Sequence, residues 1–510
     1  MDKKIILSLC GNVLLAFSII FLPPAIYAEF ALRLSRLAII FLLIGLTVLA
    51  CGIFFVIKGR GHKRKLHVAE SATTAILIYP ILAIFGVIPI LLSGYLSPID
   101  SMLETISNLT STGLSLLPND ADYTFRLWQS LLMWFGSMIF LNLLVTLLPE
   151  VSGDFGLSLS LHGGQIFSSM FGQMFAMSKK ISKVYISLTL LSIILFKLSG
   201  LNFLDSLVMA LRCISTGGGD FYPAQRNIYV DYSAAFTMLM ACGNFLFYHR
   251  LIYTIPPPER TSQENIFIRT ANYFKRLKQN IFDNVKLFFY NSEIKVIGLI
   301  IFLCVGFIFV SIYQKNSFEY GNLFFRQTFF HVISFLSTTG ITFTDFNEAH
   351  DFDRFLIFLT AIFGGSMGSV TGGIKILRAI VLAKIFSAEM QKVMHPHIMP
   401  NIRVNKIAVP NKIAGNILAF FFLAALTLFV CSGLLSFTGS TFSDGVAMSA
   451  VCLTTVGNLP GICGADNFLN LTIAGKIFCM LILIVGRLEI FAFLIVLANI
   501  KFHRKIKSKW

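Results

Sequence analysis

Residues Thr110-Ser111-Thr112-Gly113 form a short polar tract in a chain that is otherwise strongly apolar. Similar tracts follow at Ser215-Thr216-Gly217-Gly218, Ser337-Thr338-Thr339-Gly340 and Thr454-Thr455-Val456-Gly457. They are spaced by roughly 115 residues, and each follows a segment of about a dozen residues that lies between two long apolar stretches. We number these tracts first to fourth. We interpret each as part of one copy of an ancestral unit that occurs four times in the chain.

The composition indicates a membrane protein with many spans. Of the 510 residues, 56% are hydrophobic and only 13% are charged, far from the balance of a soluble domain. The net charge is +16, but the basic residues cluster between apolar segments, as in cytoplasmic loops, which argues against binding to nucleic acid. The nine cysteines are scattered without a CxxC pair, and we interpret them as small apolar residues.

Hydropathy predicts ten membrane-spanning helices. The first two cover residues 5–22 and 34–57 and precede a basic cluster that marks the cytoplasm. Ala25-Ile26-Tyr27-Ala28 is also compatible with a signal-peptide cleavage site, but the apolar stretch is long for a signal peptide, and we favour a retained helix. The other predicted spans lie near 72–95, 124–148, 182–200, 233–256, 293–314, 354–383, 412–436 and 470–500.

The predicted fold is an all-α integral membrane protein with four pseudo-symmetric units around one pore, plus two extra N-terminal helices. Each unit consists of a helix, a short pore helix that ends in a tract, and a second helix. The predicted divisions are an N-terminal hairpin (1–68), repeat one (69–160), repeat two (161–262), a cytoplasmic connector (263–292), repeat three with a broken second helix (293–392), and repeat four with a basic tail (393–510).

The distribution of charge predicts the orientation. Segments assigned to the outside carry acidic residues, including Asp100, Glu104 and Asp231, whereas segments assigned to the inside carry basic residues, including Lys375, Arg378 and Arg403. By the positive-inside rule, all four tracts enter from the external face and both termini are cytoplasmic. Ten spans without a long extension suit a bacterial inner membrane.

The tracts have the features of an ion filter. The segments before them are too short to cross a bilayer of about 30 Å, and backbone that leaves helical geometry at membrane depth must line water or protein. Four such elements present rings of carbonyl oxygens to a monovalent cation, with the negative ends of the half-helices aimed at the centre. One tract alone would more simply end a helix, but four equivalent copies favour a filter. The candidate ligands are Thr112, Gly113, Thr216, Gly217, Gly218, Thr339, Gly340, Val456 and Gly457, flanked by Ser111, Ser215, Thr338 and Thr455.

Four further motifs, in this order along the chain, support a family resemblance: Trp134-Phe135-Gly136, Asn244-Phe245, Asn458-Leu459-Pro460-Gly461 and Gly486-Arg487-Leu488-Glu489-Ile490-Phe491. Over essentially its whole length the chain resembles the Trk/Ktr/HKT superfamily of potassium transporters, and most closely its TrkH branch. The resemblance implies K⁺ as the transported ion, with no tightly bound cofactor. It also implies a homodimer docked on cytoplasmic nucleotide-binding regulatory subunits of the TrkA type.

The same resemblance identifies the filter glycines as Gly113, Gly218, Gly340 and Gly457. Sodium-preferring plant members of the superfamily carry serine at the first of these positions, so the glycine there favours K⁺. After the second tract the family commonly continues with Phe-Ser, whereas this chain has Gly219-Asp220, so this quarter of the filter departs from the pattern.

A glycine-rich segment over residues 364–373, here called the gate loop, interrupts a predicted span. The stretch from Arg354 to Phe363 rises only about 15 Å, so the interruption falls near the midplane, where it must line a cavity. The loop resembles the intramembrane loop that obstructs the pore in the family, with a plain helix kink as the alternative. Its glycines are Gly364, Gly365, Gly368, Gly372 and Gly373.

Charged residues within predicted spans need partners or a cavity. By the resemblance, Arg487 lies beside the pore, where we expect it to hold the gate loop by hydrogen bonds and to oppose cation occupancy. The alternative for Arg487 is a structural pairing, for example with Glu489. We expect Lys197 and Arg326 to extend towards the outer interface.

The predicted function is potassium uptake through a gated, channel-like pore. The alternatives are a Na⁺- or proton-coupled symporter of the same superfamily, or a carrier that works by alternating access. Such carriers favour inverted repeats and buried acids, whereas these units run in one direction and their spans hold few acids. The spans lack a paired His/Asp/Glu constellation and the chain lacks a P-loop, so we do not predict an enzyme. The basic loop over 375–413 is a candidate docking surface, and the basic tail a candidate for contact with lipid.

Overall fold

The computed structural model describes residues 3–60, 68–118, 120–151, 171–219, 222–223, 225–253, 290–315, 321–342, 351–395, 397, 401–405, 407–459 and 462–488. Within these ranges the chain is mostly helical, and the all-α membrane fold predicted from the sequence is confirmed. The helices are α1 (Lys3–Ile19), α2 (Leu22–Phe30), α3 (Ser35–Lys58), α4 (Val68–Ser93), α5 (Pro98–Leu109), α6 (Tyr123–Val151), α7 (Phe171–Leu198), α8 (Phe203–Ser215), α9 (Ile228–Cys242), α10 (Phe245–Tyr253), α11 (Ser292–Lys315), α12 (Gly321–Leu336), α13 (Asp351–Ile362), α14 (Ile376–Met394), α15 (Asn411–Phe437), α16 (Phe442–Thr454) and α17 (Ala465–Leu469), followed by α18 over 473–488.

Two short strand pairs complete the described structure. Strands β1 (Phe363–Gly364) and β2 (Ile374–Lys375) pair in parallel and bring the two ends of the gate loop together. Strands β3 (Arg403–Val404) and β4 (Ile407–Ala408) pair antiparallel in the loop between α14 and α15.

The N-terminal helices pack on the first repeat. Helices α1 and α3 approach closely at small residues: a Cβ built on Gly11 would lie 2.8 Å from the backbone nitrogen of Val56. Glycine at such a crossing lets two membrane helices make close van der Waals contact. Phe21 then reaches the buried Trp128 of α6, with ring centroids 4.5 Å apart. The hairpin is thus joined to the core of repeat one.

Each repeat contains one short helix that ends in a polar tract. These pore helices are α5, α8, α12 and α16, which have 12, 13, 16 and 13 residues, too few to cross a bilayer. Three of them begin in the same way, because the side chains of Ser97, Asn202 and Thr441 each accept a hydrogen bond from the backbone of an aspartate three residues later. The caps satisfy exposed N–H groups, and the aspartates lie at the positive ends of the helix dipoles.

Seven helices in the described ranges are long and apolar enough to cross a membrane: Lys3–Phe30, Ser35–Lys58, Ala72–Ser93, Tyr123–Leu144, Ser178–Leu198, Ser292–Ser311 and Ile413–Phe437. The other three predicted spans are not among these seven. The span predicted near 354–383 is divided by the gate loop into α13 and α14, and the span predicted near 470–500 is described only to residue 488.

The prediction of one continuous span over 233–256 is wrong. Helix α9 ends at Cys242, Gly243 takes an extended conformation, and α10 starts at Phe245. Only glycine fits at the break, because a Cβ on Gly243 would lie 1.8 Å from the hydroxyl of Tyr248. Repeat two therefore has a broken second helix, as repeat three does.

Candidate functional site

The four pore helices end with the same backbone geometry. One residue just beyond each pore helix has a left-handed backbone conformation. Its φ angle is 52° at Ser111 and 54° at Thr216, Thr338 and Thr455. The next N–H then donates to the carbonyl five residues earlier, at 2.9 Å in the first and third tracts, 3.1 Å in the second and 3.4 Å in the fourth. This is the Schellman helix end, in which glycine usually takes the left-handed position. The repeated bond makes the four tracts structurally equivalent.

Serine and threonine at these left-handed positions carry backbone strain. A non-glycine residue in this region costs about 1–3 kcal/mol and persists only where the surrounding structure fixes it. All four side chains are fully buried, and the strain recurs at the same place in each repeat. Such strain is typical of functional backbone.

The four tracts meet in a closed ring. A Cβ built on Gly218 would lie 1.8 Å from the carbonyl oxygen of Thr339, and one on Gly340 would lie 1.9 Å from that of Val456. A Cβ on Gly457 would lie 2.6 Å from the carbonyl oxygen of Thr112, and one on Gly113 would lie 2.9 Å from the nitrogen of Gly218. Each tract thus contacts the next, and the fourth contacts the first. The structure brings together all four glycines named from the sequence, at positions that leave no room for a side chain.

The second tract departs from the other three. Gly113, Gly340 and Gly457 have positive φ angles of 74°, 69° and 85°, whereas in the second tract the positive angle, 79°, falls one residue later at Gly219. The sequence departs from the family pattern at the same place.

Serine hydroxyls of two pore helices hold the segments that leave the ring. The hydroxyl of Ser107 accepts from the backbone nitrogen of Leu114 at 2.8 Å, and that of Ser334 donates to the carbonyl of Ile341 at 2.7 Å. Both hydroxyls are buried. The first and third tracts are therefore fixed on both sides of their glycines.

The gate loop is buried and lies against the third and fourth tracts, near the ends of their pore helices. The backbone nitrogen of Gly372 donates to the hydroxyl of Thr338 at 2.9 Å. A Cβ on Gly372 would lie 2.1 Å from the hydroxyl of Thr455 and 2.2 Å from the carbonyl oxygen of Thr454. The loop therefore contacts the third and fourth tracts directly.

The loop also contacts the broken helix of repeat two. The nitrogen of Ser366 donates to the carbonyl of Cys242 at 2.9 Å, and the nitrogen of Phe245 donates to the carbonyl of Gly368 at 3.1 Å. The backbone groups freed by the break in repeat two are thus satisfied by the gate loop, as membrane burial requires.

Arg487 lies between the gate loop and the wall of repeat one. One guanidinium nitrogen, Nη1, donates to the carbonyl of Val370 at 3.0 Å, and Nη2 donates to the hydroxyl of Ser137 at 2.9 Å. The Ser137 hydroxyl in turn donates to the carbonyl of Ser215, at the base of the second tract, at 2.8 Å. The guanidinium also lies 4.2 Å from the ring centre of Phe140. Glu489, the alternative partner, lies outside the described residues.

Two of the charges assigned to cytoplasmic segments are buried instead. Lys375, in β2, extends its side chain into the gate loop. Its ammonium group donates to Ser369 Oγ at 3.3 Å and to both the hydroxyl and the carbonyl of Thr371. Arg378 stacks on the ring of Phe420, with 4.2 Å between the guanidinium carbon and the ring centre. Both side chains are thus held inside the protein, because the loop folds back and takes its flanking cations with it.

A buried glutamate that the sequence reasoning did not single out also holds the gate loop. Glu293, at the start of α11, accepts a 2.9 Å hydrogen bond from the backbone nitrogen of Met367 and is fully buried. Its only signal in the sequence is a carboxylate at the first turn of an apolar span, after the connector.

The remaining predicted positions have ordinary partners. Lys197 donates to the carbonyl of Leu201 at 3.3 Å, and Arg326 lies 3.0 Å from the carboxylate of the buried Asp231. Within the described ranges, no group of three or more His, Cys, Asp or Glu side chains is arranged to hold a metal ion. Backbone carbonyls and hydroxyls are thus the candidate ion ligands in this part of the chain.

Comparison with known proteins agrees with this architecture. The TrkH family, described as cation transport proteins, matches residues 57–506. The chain is 26% identical to the Trk system potassium uptake protein TrkH of Halomonas elongata, over 99% of this chain and 100% of that protein. It is 24% identical to the protein of the same name from Escherichia coli K12, over 88% of this chain and 89% of that protein.

A solved structure has the same fold. The crystal structure of the potassium transporter TrkH from Vibrio parahaemolyticus superposes with a TM-score of 0.81, at 23% identity, over 98% of this chain and 99% of that chain. The family match covers most of the sequence, confirms the resemblance drawn from the motifs, and points to transport rather than to an enzyme. The chain belongs to the TrkH family of cation transport proteins.

Proposed function

We propose that the chain carries potassium ions across a membrane through a filter formed by the four tracts. The observation that carries this proposal is the closed ring, in which each tract contacts the next through backbone atoms at Gly113, Gly218, Gly340 and Gly457. A ring of carbonyl oxygens replaces the hydration shell of a monovalent cation. The relatives named as potassium uptake proteins support K⁺ as that cation.

The half-helices favour a cation at the centre of the ring. All four pore helices end at the tracts, so the negative ends of their dipoles face the same place. Because the four helix ends are equivalent, all four dipoles contribute to the negative potential at the centre of the ring. Because the glycines leave no space for side chains, the ion would be bound chiefly by backbone atoms.

The gate loop closes the pathway in the proposed mechanism. The loop lies against the third and fourth tracts. The side chain of Lys375 donates to the loop from its C-terminal side, and Arg487 of α18 donates to its backbone. Two buried cations next to the filter oppose a K⁺ ion at this depth. Opening requires the loop to leave Thr338 and Arg487, and its bond to Glu293 at Met367 would resist that movement.

Control from the cytoplasm has a physical route in this proposal. Asn405, in the turn between β3 and β4, accepts hydrogen bonds from the backbone nitrogen of Ser292 at 2.9 Å and from its hydroxyl at 2.5 Å. Ser292 precedes Glu293, which holds the gate loop. A partner that moved the β3–β4 hairpin would therefore pull on the gate. This supports docking of nucleotide-binding regulatory subunits of the TrkA type on the basic loop over 375–413.

The assembly completes the proposal. We propose a homodimer in a bacterial inner membrane, with both termini cytoplasmic and one pore in each protomer. The four filter carbonyl sets and the single gate loop lie in one chain, so each protomer would conduct by itself.

The proposal is tested by ion uptake into liposomes that hold the purified protein. We expect Rb⁺, as a tracer for K⁺, to enter much faster than Na⁺ with no dependence on an imposed proton gradient. Equal entry of both ions would refute a potassium filter. Uptake that stopped when the proton gradient was abolished would favour the coupled symporter, and counterflow without net current would favour alternating access.

A further inference from the structure

A buried arginine behind the filter binds a carbonyl of the second tract. Arg212 lies near the end of α8 and is 1% exposed. Its Nη1 donates to the carbonyl oxygen of Gly218 at 2.8 Å, and its Nε donates to the hydroxyl of Ser130 at 2.8 Å. Because Ser130 belongs to α6, the guanidinium lies between α8 and α6. The Gly218 carbonyl therefore points away from the ring and towards this wall.

A buried carboxylate in the first pore helix forms the other end of the same network. Glu104 is fully buried, although the sequence suggested an external acid. Its Oε2 accepts from the backbone nitrogen of Leu116 at 2.8 Å, and its Oε1 accepts from the side-chain nitrogen of Asn108 at 3.0 Å. Glu104 thus holds the segment that leaves the first tract.

Gln129 of α6 joins the two charges. Its Oε1 accepts from Arg212 Nη2 at 3.0 Å, and its Nε2 donates to Glu104 Oε1. One amide therefore uses its acceptor for the cation and its donor for the anion, which fixes its orientation. The network spans the two neighbouring tracts that meet where a Cβ on Gly113 would lie 2.9 Å from the nitrogens of Gly218 and Gly219.

The shifted backbone of the second tract fits this network. A Cβ on Gly219 would lie 3.0 Å from Arg212 Nη1 and 3.2 Å from the carbonyl oxygen of Gly113. The left-handed angle at Gly219, rather than at Gly218, turns the preceding carbonyl towards the arginine. Among the described residues, Gly218 is the filter glycine whose carbonyl is bound by a side chain.

We propose that Arg212, Gln129 and Glu104 are positioning residues that set the ion preference of the filter by holding the Gly218 carbonyl out of the ring. At this level three glycine carbonyls instead of four face the ion. The opposite charges of Arg212 and Glu104 balance each other beside the filter. The inference rests on the proposed filter and adds the chemistry that makes its second quarter different. Loss of the arginine releases the carbonyl and weakens the discrimination between K⁺ and Na⁺.

The test is the ratio of Rb⁺ to Na⁺ uptake in liposomes for Arg212→Gln and Arg212→Lys. We expect Arg212→Gln to lower the ratio severalfold and Arg212→Lys to recover part of it, since lysine keeps the charge but not the fork of donors. Gln129→Leu keeps both charges and breaks the bridge, so it lowers the ratio in the same direction. Glu104→Gln combined with Arg212→Gln has no larger effect than Arg212→Gln alone, because the residues act through one carbonyl.

Ser192→Ala is the matched control, because it removes a buried hydroxyl of α7 that donates to the carbonyl of Leu188 in the same helix; its ratio stays at the wild-type value. If Arg212→Gln does not yield folded protein, Gln129→Leu decides the question. A selective wild type together with unchanged ratios in the folded variants would overturn this inference and leave the filter intact. A wild type without preference for Rb⁺ would instead overturn the proposed filter, and this inference with it.

Discussion

The backbone nitrogen of Gly372 donates a 2.9 Å hydrogen bond to the hydroxyl of Thr338. Gly372 belongs to the gate loop and Thr338 to the third tract, so the element proposed to close the pore is bonded to the element proposed to select the ion. Movement of the loop must break this bond. Selection and gating are therefore adjacent in space, although they lie more than 30 residues apart in the chain.

Replacing Gly372 tests whether the loop closes the pore. In Gly372→Ala the new Cβ would lie 2.1 Å from Thr455 Oγ1 and 2.2 Å from the Thr454 carbonyl, so the loop cannot keep its position. We expect a higher basal Rb⁺ flux. Gly433→Ala is the control, because a Cβ on this helical glycine meets nothing within 4 Å. Unchanged flux in folded Gly372→Ala would mean that the loop does not close the pore.

Removal of the Arg487 side chain should also increase basal flux. Its bonds to Val370 and Ser137 involve a charged donor, and each such bond contributes about 1.5–3 kcal/mol. Loss of one bond that exists only in the closed state shifts the open fraction by roughly tenfold or more. The measurement is Rb⁺ uptake by Arg487→Ala, next to a variant that lacks residues 364–373. Lys392→Ala, which removes an exposed cation of α14, should behave as the wild type; wild-type flux in both test variants would exclude this gate.

Gly340 is predicted to be irreplaceable because there is no space for a side chain, more than because of its backbone angle. Gly340 and Gly94 have similar φ angles, 69° and 76°. A Cβ on Gly340 would lie 1.9 Å from the Val456 carbonyl, whereas one on Gly94 meets nothing within 4 Å. Gly340→Ala should abolish selective uptake. Gly94→Ala should lower the free energy of unfolding by about 1 kcal/mol and leave uptake normal. Equal losses of uptake in both would assign the effect to backbone strain alone.

The first filter glycine should tolerate serine better than Gly340 tolerates alanine. A Cβ on Gly113 would lie 2.9 Å from the nitrogens of Gly218 and Gly219, which belong to the tract with the irregular backbone. A small shift of that tract accommodates the side chain and changes the ring. Gly113→Ser should therefore conduct with a lower Rb⁺ to Na⁺ ratio, measured in liposomes. A fully selective Gly113→Ser would contradict the assignment of this glycine to the filter.

Uncoupling the β3–β4 hairpin tests the proposed route of control. Asn405→Ala removes the acceptor for Ser292, and Glu293→Gln weakens the bond to Met367 because a neutral acceptor replaces a charged one. We expect Glu293→Gln to increase basal flux in the isolated protein. Asn405→Ala should leave basal flux nearly unchanged but reduce the response to the regulatory subunit, measured as uptake with and without that subunit and its nucleotide. A normal response in Asn405→Ala would rule out this route.

Much of the fold follows from sequence because its signals are local and repeated. Four polar tracts at similar spacing, such as Thr110 to Gly113, require equivalent re-entrant segments, and the gate loop carries five glycines within ten residues. Both signals stand out against apolar surroundings. The architecture and the family can therefore be inferred from the sequence alone.

The rest depends on contacts between distant residues. The break at Gly243 has only one glycine to mark it, and the hydroxyl that fills the space beside this glycine belongs to Tyr248, five residues later. Glu104 and Arg212 look like ordinary charges beside a membrane, and only their contacts in the fold, with Gln129 and with the Gly218 carbonyl, place them beside the tracts. Lys375 follows the cytoplasmic charge rule in sequence but folds back with the loop.

The central claim is that one chain holds a potassium-selective pore with four filter tracts. The most direct test is the reversal potential of currents through the purified protein in a planar bilayer, with K⁺ on one side and Na⁺ on the other, recorded with Gly372→Ala to open the gate. We expect unitary currents whose reversal potential lies far from zero, on the side expected for K⁺ selectivity. A reversal potential at zero, or the absence of unitary currents from folded protein, would contradict it.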